Sequence, residues 1–277
     1  MTDAEVRELR ARTARLRVNI LRMIQVAGSG HPGGSLSAID IVAYLYFRHM
    51  RIDPARPKWE DRDRFVLSKG HCAPALYVAL AGRGYFAEDV LWTLRDIGSL
   101  LQGHPDMKGA PGIDMTSGSL GQGFSAATGI ALGGKLQSKD FRVYVMLSDG
   151  EIQEGIVWEA AMSAVHYKLD NLVAIVDSNR QQSDGWISEI MTIEPIEDKW
   201  RAFGWEVMRI DGHDFPQIAG ALAWAMEQNG KPHAIIANTV KGKGVAEMEN
   251  NPGWHSRSMS GEMLEAYVRE ILSGVAA

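Results

Sequence analysis

Asp149 and Asn179 each stand just past a mainly apolar run, and Gly150 directly follows the first of them. Residues 142–148 and 172–177 have the length and composition of strands buried on both faces of a parallel sheet. Residues 151–168, between them, have helical spacing. A strand–helix–strand unit of this kind places Asp149 and Asn179 at the carboxyl ends of two strands in one sheet, the edge at which open α/β sheets bind ligands. One carboxylate, one amide oxygen and nearby backbone carbonyls form a hard-oxygen set suited to Mg²⁺ or Ca²⁺, with phosphate oxygens completing the shell. Gly150 leaves its N–H open to a diphosphate oxygen at a helix start. Taken alone, Asp149 equally suits a helix cap.

The histidines give a second signal. His31, His71, His104 and His255 fall in turn-rich sequence beside Gly, Pro or Trp rather than on helical faces. With an unperturbed pKa near ~6.5, imidazole is suited to proton transfer at neutral pH. A histidine met singly is more often a packing residue, and His49, His166, His213 and His233 are read that way. Lys241 and Lys243, interleaved with glycines, either screen phosphate charge or form a solvated turn. Glu154 suits a helix start, where the macrodipole favours a carboxylate. Cys72, beside His71, reads as a small core residue. Arg7, Arg10, Arg12, Arg15 and Arg17 are expected to solvate the first helix.

Five motifs then occur in a telling order: Gly30-His31-Pro32-Gly33, Ser68-Lys69-Gly70-His71, Gly103-His104-Pro105, Gly118-Ser119-Leu120-Gly121-Gln122-Gly123 and Asp149-Gly150-Glu151-Ile152-Gln153-Glu154-Gly155. With Asn179 downstream, they resemble the transketolase family over about residues 15–255. The likeness is to the N-terminal, diphosphate-binding half, as in bacterial enzymes split into two subunits. It implies thiamine diphosphate and Mg²⁺, with Ca²⁺ or Mn²⁺ as substitutes, and a metal held by Asp149, Asn179 and the backbone carbonyl of Gln181. It further implies that His71, Gly118, Ser119, Leu120, Asp149, Gly150, Glu151, Asn179 and His255 meet the cofactor, Leu120 packing near the aminopyrimidine ring. His31, His71 and His104 would line the substrate channel and assist proton transfers. His255 would join the catalytic set near the diphosphate, and Glu154, also counted in that set, would lie in a carboxylate network at the dimer interface. Two departures stand out. Ser148 replaces the family's usual Gly, and its hydroxyl is free to contact phosphate; His255-Ser256-Arg257-Ser258 replaces His-Gly-Ala-Pro.

The activity so implied is transfer of a two-carbon ketol unit from a ketose phosphate to an aldose. In full-length members the glutamate that activates the cofactor, and the basic residues gripping the sugar phosphate, belong to a pyrimidine-binding domain that follows this one. The sequence closes at Ala277, so the expected partner is a second polypeptide carrying that domain, with two copies of each chain. Helix 124–136 and the helix carrying Glu154 are the expected contact surfaces. Other readings are a different split thiamine enzyme, of the 2-oxo acid dehydrogenase or deoxyxylulose-phosphate synthase type, or a non-catalytic module on the same fold.

The elements that must position these residues alternate along the chain. Thr2 and Glu5 have capping-box spacing, opening a helix that runs to Val26. Residues 27–35, rich in glycine, break it; a helix over 37–49, a strand over 64–67 and an Ala/Leu-rich helix after residues 69–71 follow. A glycine-rich turn at 116–123 opens helix 124–136. Strands over 205–210 and 233–239 flank a helix over 215–228, and an amphipathic helix over 263–272 closes the chain. Residues 180–195 form a long irregular loop beside the metal site. Strands alternating with helices predict an α/β fold: a single doubly wound parallel-sheet domain of the thiamine diphosphate-binding type, residues 1–277.

Composition limits the partners. A formal charge of −5 gives no basic footprint for nucleic acid. No stretch of eighteen uninterrupted apolar residues is present, so no membrane span is expected. The lone cysteine and the absence of an apolar leader point to the cytoplasm.

Overall fold

A computed structural model describes residues 1–276. In chain order the elements are α1 (Asp3–Ala27), α2 (Pro32–Tyr44), β1 (Arg64–Leu67), α3 (Ala73–Arg83), α4 (Gln122–Leu136), β2 (Val143–Ser148), α5 (Gly155–His166), β3 (Leu172–Ser178), α6 (Ile187–Ile190), α7 (Ile196–Ala202), β4 (Glu206–Asp211), α8 (Phe215–Trp224), β5 (His233–Asn238) and α9 (Gly261–Ala276). The strands form one parallel sheet in the order β1-β2-β3-β5-β4.

Alternation along the strands divides the interior into two cores. Tyr144 and Met146 of β2, Val173 and Ile175 of β3, and Ile235 of β5 face a layer made by α1, α2, α3, α8 and α9. Their chain neighbours Val143, Val145, Leu172, Ala174 and Ile236 face α4, α5 and α7. Strands apolar at every position are what a sheet covered on both faces requires. On the second face Phe124, Trp158, Trp200 and Trp205 stack at 4.8–5.9 Å between ring centres. Such edge-to-face and tilted aromatic pairs lock α4, α5 and α7 together.

The chain leaves β1 for α3 on the first face and β2 for α5 on the second. Neighbouring strands whose connections diverge in this way open a crevice at their carboxyl ends. The residues following β1, β2, β3 and β5 all meet there.

Local boundaries depart from expectation in four places. The capping box at Thr2 and Glu5 is formed, with Gly28 in the left-handed conformation at the end of α1. Residues 27–35, however, do not all break the chain: Pro32 opens α2, because proline at the first helical position lacks an N–H that would be unpaired anyway. The helix therefore starts earlier than 37, and a π-helical turn, Leu45–His49, finishes it. The helix expected over 151–168 splits into a 3₁₀ turn, Glu151–Gln153, and α5, with Glu154 extended between them. Helix 215–228 stops at Trp224, and the irregular stretch at 180–195 holds the short helix α6 and leads into α7. Arg17 is not a solvating residue; it is buried against Asp40. No helix among the described residues is long and apolar enough to cross a membrane.

Candidate active site

A cleft of about 320 Å³ lies at the carboxyl edge of the sheet. Gly34, Lys69, His71, Gly118, Leu120, Gly150, Glu154, Asn179, Gln181, Lys241 and His255 all line it. The sequence motifs thus converge, although they are spread over most of the chain.

The Asp149 carboxylate is buried where β2 ends. Its oxygens accept from the backbone N–H groups of Gly150, at 2.9 Å, and Arg180. Arg180 adopts φ 64°, a left-handed conformation uncommon outside glycine, and so bends the 179–181 segment around Asp149. Within that bend Gln181 N donates to Asn179 Oδ1 at 3.1 Å. Among the described residues no cationic side chain pairs with Asp149. Burial, with the nearby Asp177 charge, pushes its carboxyl up to about 7. Both side-chain polar atoms of Gln181 are buried and without partners.

Beneath these groups runs an ion pair that the sequence reading missed. Lys69 and Asp177 are both fully buried and bonded to each other. Lys69 Nζ also donates to Gly34 O at 3.2 Å, and Asp177 accepts from the hydroxyls of Ser37 and Thr239. Burial works against the Lys69 charge, but Asp177 outweighs it and raises the ammonium pKa. Every charge-bearing atom has partners, which a buried pair requires. The available signal was Lys69 inside the Ser-Lys-Gly-His motif; its partner lies far along the chain.

Glu151 forms the cleft floor. Its carboxylate accepts from Gly121 N at 2.8 Å, Ser148 N at 3.1 Å and the Ser68 hydroxyl. Ser68 in turn accepts from Phe124 N at 3.0 Å, near the start of α4. One side chain therefore joins the ends of β1 and β2 to the helix that Gly118-Ser119-Leu120 precedes. Burial raises its pKa. The Ser148 hydroxyl accepts from Glu151 N at 3.2 Å, so it closes the turn from within.

The four motif histidines form one cluster. Ring centres of His31 lie 5.3 Å from His71, 5.3 Å from His255 and 6.3 Å from His104. His104 rests against Gly118, where a Cβ would approach the imidazole to 3.3 Å. Burial and neighbouring cations hold all four below the ordinary imidazole value, His31 at about 4 and His255 at about 3. They are neutral at pH 7. Among the described residues no three His, Cys, Asp or Glu side chains are placed to hold a metal ion together.

Of the two lysines between glycines, only Lys241 enters the cleft. Its Nζ lies 3.1 Å from both Gln182 O and His255 Nδ1, and burial beside Lys69 lowers its pKa to about 8. Lys243 points away and pairs with Glu249 at 3.2 Å. Glu154 stands exposed at the start of α5. Of the histidines read as structural, His49 bonds Tyr144 at 2.9 Å and His233 stacks on Trp224 at 4.7 Å. Cys72 is fully buried, its thiol pushed up to about 11 by burial.

The fold is an α/β domain with a parallel sheet whose carboxyl edge opens into a cleft lined by Lys241 and by His71 and His255 of the imidazole cluster. Residues 9–272 match the family described as transketolase, thiamine diphosphate binding domain, and the chain belongs to that family. It is 50% identical over 251 residues to the 6-deoxy-6-sulfo-D-fructose transketolase subunit SqwG of Clostridium sp. (strain MSTE9), covering 91% of each chain. It is 42% identical to an apulose-4-phosphate transketolase subunit of Phocaeicola vulgatus, covering 96% of this chain and 95% of that one. The crystal structure of transketolase from Campylobacter jejuni superposes with a TM-score of 0.90 at 34% identity. That match takes in 99% of this chain and 43% of the other, so the chain spans under half the length of that transketolase.

Proposed function

We propose that this chain is the diphosphate-binding subunit of a two-chain transketolase, moving a two-carbon ketol unit from a ketose phosphate to an aldose. The observation that carries the reading is one cleft lined by Asn179, Gln181, Lys241, His71 and His255, with His31 packed against the last two imidazoles. The relatives named as transketolase subunits, matched over nearly their whole length, support the two-chain form.

The residues suit a divalent cation. Asp149 is a buried carboxylate met only by backbone N–H groups, and Asn179 and the Gln181 carbonyl add neutral oxygens beside it. That donor set favours Mg²⁺, with Ca²⁺ or Mn²⁺ able to replace it. Gly150 admits the diphosphate to the turn, and Lys241 faces it with positive charge. Thiamine diphosphate, when bound, supplies the carbon nucleophile and electron sink that ketol transfer needs.

The chain's own part is binding and proton handling. Neutral imidazoles accept hydrogen bonds or protons from substrate hydroxyls. His104, the exposed member, meets the sugar at the mouth, while His31 and His71 lie deeper. Gly118, Ser119 and Leu120 offer a surface for the aminopyrimidine ring. Glu154 stands at the rim, placed to meet a partner subunit that brings the pyrimidine-binding domain; two copies of each chain would make two such sites.

The test is to combine the purified chain with a subunit carrying that domain, thiamine diphosphate and Mg²⁺, and to follow ketol transfer. Activity is expected only in the complete mixture. A chain that binds no thiamine diphosphate in the complex, and supports no transfer from any ketose phosphate, overturns the reading.

A further inference from the structure

Lys241 is presented by a β-turn whose first N–H and last carbonyl are both held from behind, while Gly242 N donates to Gly33 O and Lys241 O accepts from Asn250 N. Inside the turn Lys243 N donates to Val240 O at 3.1 Å. Gly242 takes φ 83°, and a Cβ there would collide with Met248 O, so the turn needs glycine. On the outside Val240 N donates to His213 Nε2 at 2.9 Å, while Arg17 Nε donates to Lys243 O at 3.1 Å. Both holders meet on one oxygen: Asp40 Oδ2 lies 2.7 Å from His213 Nδ1 and 2.5 Å from Arg17 Nη2.

Acceptance of an N–H at Nε2 fixes the tautomer, so the His213 proton sits on Nδ1 and is donated to Asp40. Asp40 and Arg17 are 4% and 8% exposed, and they belong to α2 and α1. Burial alone would raise the Asp40 carboxyl, but Arg17 and His213 hold it at about 2, so the carboxylate stays charged. The simplest account is a packing bond between two helices. The turn argues for more, because the triad grips it at both ends while the Lys241 ammonium reaches the opposite way, into the cleft.

We propose that Arg17, Asp40 and His213 are positioning residues for the diphosphate site, fixing the 240–243 turn so that Lys241 is set in place before the cofactor arrives. The proposal rests on the reading of Lys241 as a diphosphate contact. A lysine side chain has several rotatable bonds, and holding its backbone removes part of the ordering that binding would otherwise have to impose. No atom of the triad reaches the cleft, so its effect should pass through Lys241.

A double-mutant cycle tests this. Thiamine diphosphate, with Mg²⁺, is titrated calorimetrically into the chain assembled with its partner subunit, for the unaltered protein, His213→Ala, Lys241→Ala and the double variant. Each single change should weaken cofactor binding about tenfold or more, and the double variant should bind within about twofold of Lys241→Ala. His213→Gln, whose amide oxygen can accept from Val240 N, should recover most of the loss. If His213→Ala leaves affinity unchanged, or weakens it equally in both backgrounds, the positioning role is overturned while the Lys241 contact stands. If Lys241→Ala itself leaves affinity unchanged, the diphosphate contact fails and the proposal fails with it.

Discussion

A buried carboxylate without a cationic partner is the most consequential single residue here. Asp149 has its carboxyl pushed up to about 7, well above the unfolded value, so ionising it costs folding stability as pH rises from about 4 through 7. A bound divalent cation would reverse that sign. Asp149→Ala is therefore expected to leave the cofactor-free chain at least as stable as the unaltered one at pH 8. It should also abolish the rise in melting temperature that thiamine diphosphate with Mg²⁺ gives the parent, as thermal melts with and without both would show. His104 should behave differently, because it is exposed, at the outer edge of the imidazole cluster. His104→Ala is expected to lower kcat for ketol transfer by about 10²–10⁴-fold, the usual worth of acid–base assistance, with calorimetric affinity for thiamine diphosphate kept within a few-fold. Equal losses in both measurements would place His104 on the cofactor instead. Spacing alone put Asp149 and Asn179 at strand ends and the histidines in short motifs, but their roles came from the family resemblance, since an isolated Asp or His is as readily a cap or a packing residue. Lys69 and Asp177 were not readable as a pair: local sequence carries no sign that a lysine after β1 will pair with an aspartate in β3. Nor did it separate Lys241 from Lys243, whose opposite directions are set by the turn that holds them.

At the scale of elements, strands were more legible than helix ends. Four of the five sheet strands carry apolar runs buried on both sides, and their expected limits agree with the structure to within a residue or so. Around Gly30-His31-Pro32-Gly33 the glycines suggested a break, yet Gly33 and Gly34 are helical. A Cβ on Gly33 would meet Trp254 O at 2.9 Å and one on Gly34 would meet Cys72 Sγ at 2.6 Å. Close packing around the histidine cluster, rather than chain reversal, accounts for them, and only tertiary contacts reveal the difference. The same holds for Arg17 and Asp40, which join α1 to α2. Because the folded Asp40 carboxyl lies at about 2, below its unfolded value, its contribution is complete above about pH 4 and is lost as pH falls through about 2. Asp40→Asn should therefore be less stable than the parent by about 2 kcal/mol from pH 7 down to about 4. The gap should narrow below that, as urea melts across the range would measure. A gap that stays constant down to pH 2.5 would show that the ion pair contributes little.

For the whole molecule, the question is what covers the outer face of α4 and α5. Gly129, Gly133 and Gly155 have nothing within 4 Å of a built Cβ, and Leu136 and Met162 are 78% and 55% exposed. Glycine inside a helix costs up to about 1 kcal/mol relative to alanine, and within this chain no neighbour requires those at 129 and 133. Their small size makes sense if a partner's helix comes close. Gly129→Leu separates the two explanations, because leucine is the better helix former and finds open space in the isolated chain. Its melting temperature should hold or rise. In a mixture with the subunit carrying the pyrimidine-binding domain, sedimentation velocity should show that association is lost or weakened at least about tenfold, the expected penalty for overpacking a close helix contact. Ketol transfer should fall in parallel and be restored in part by raising the partner's concentration. Unchanged association and unchanged activity would place the partner on another face of the chain.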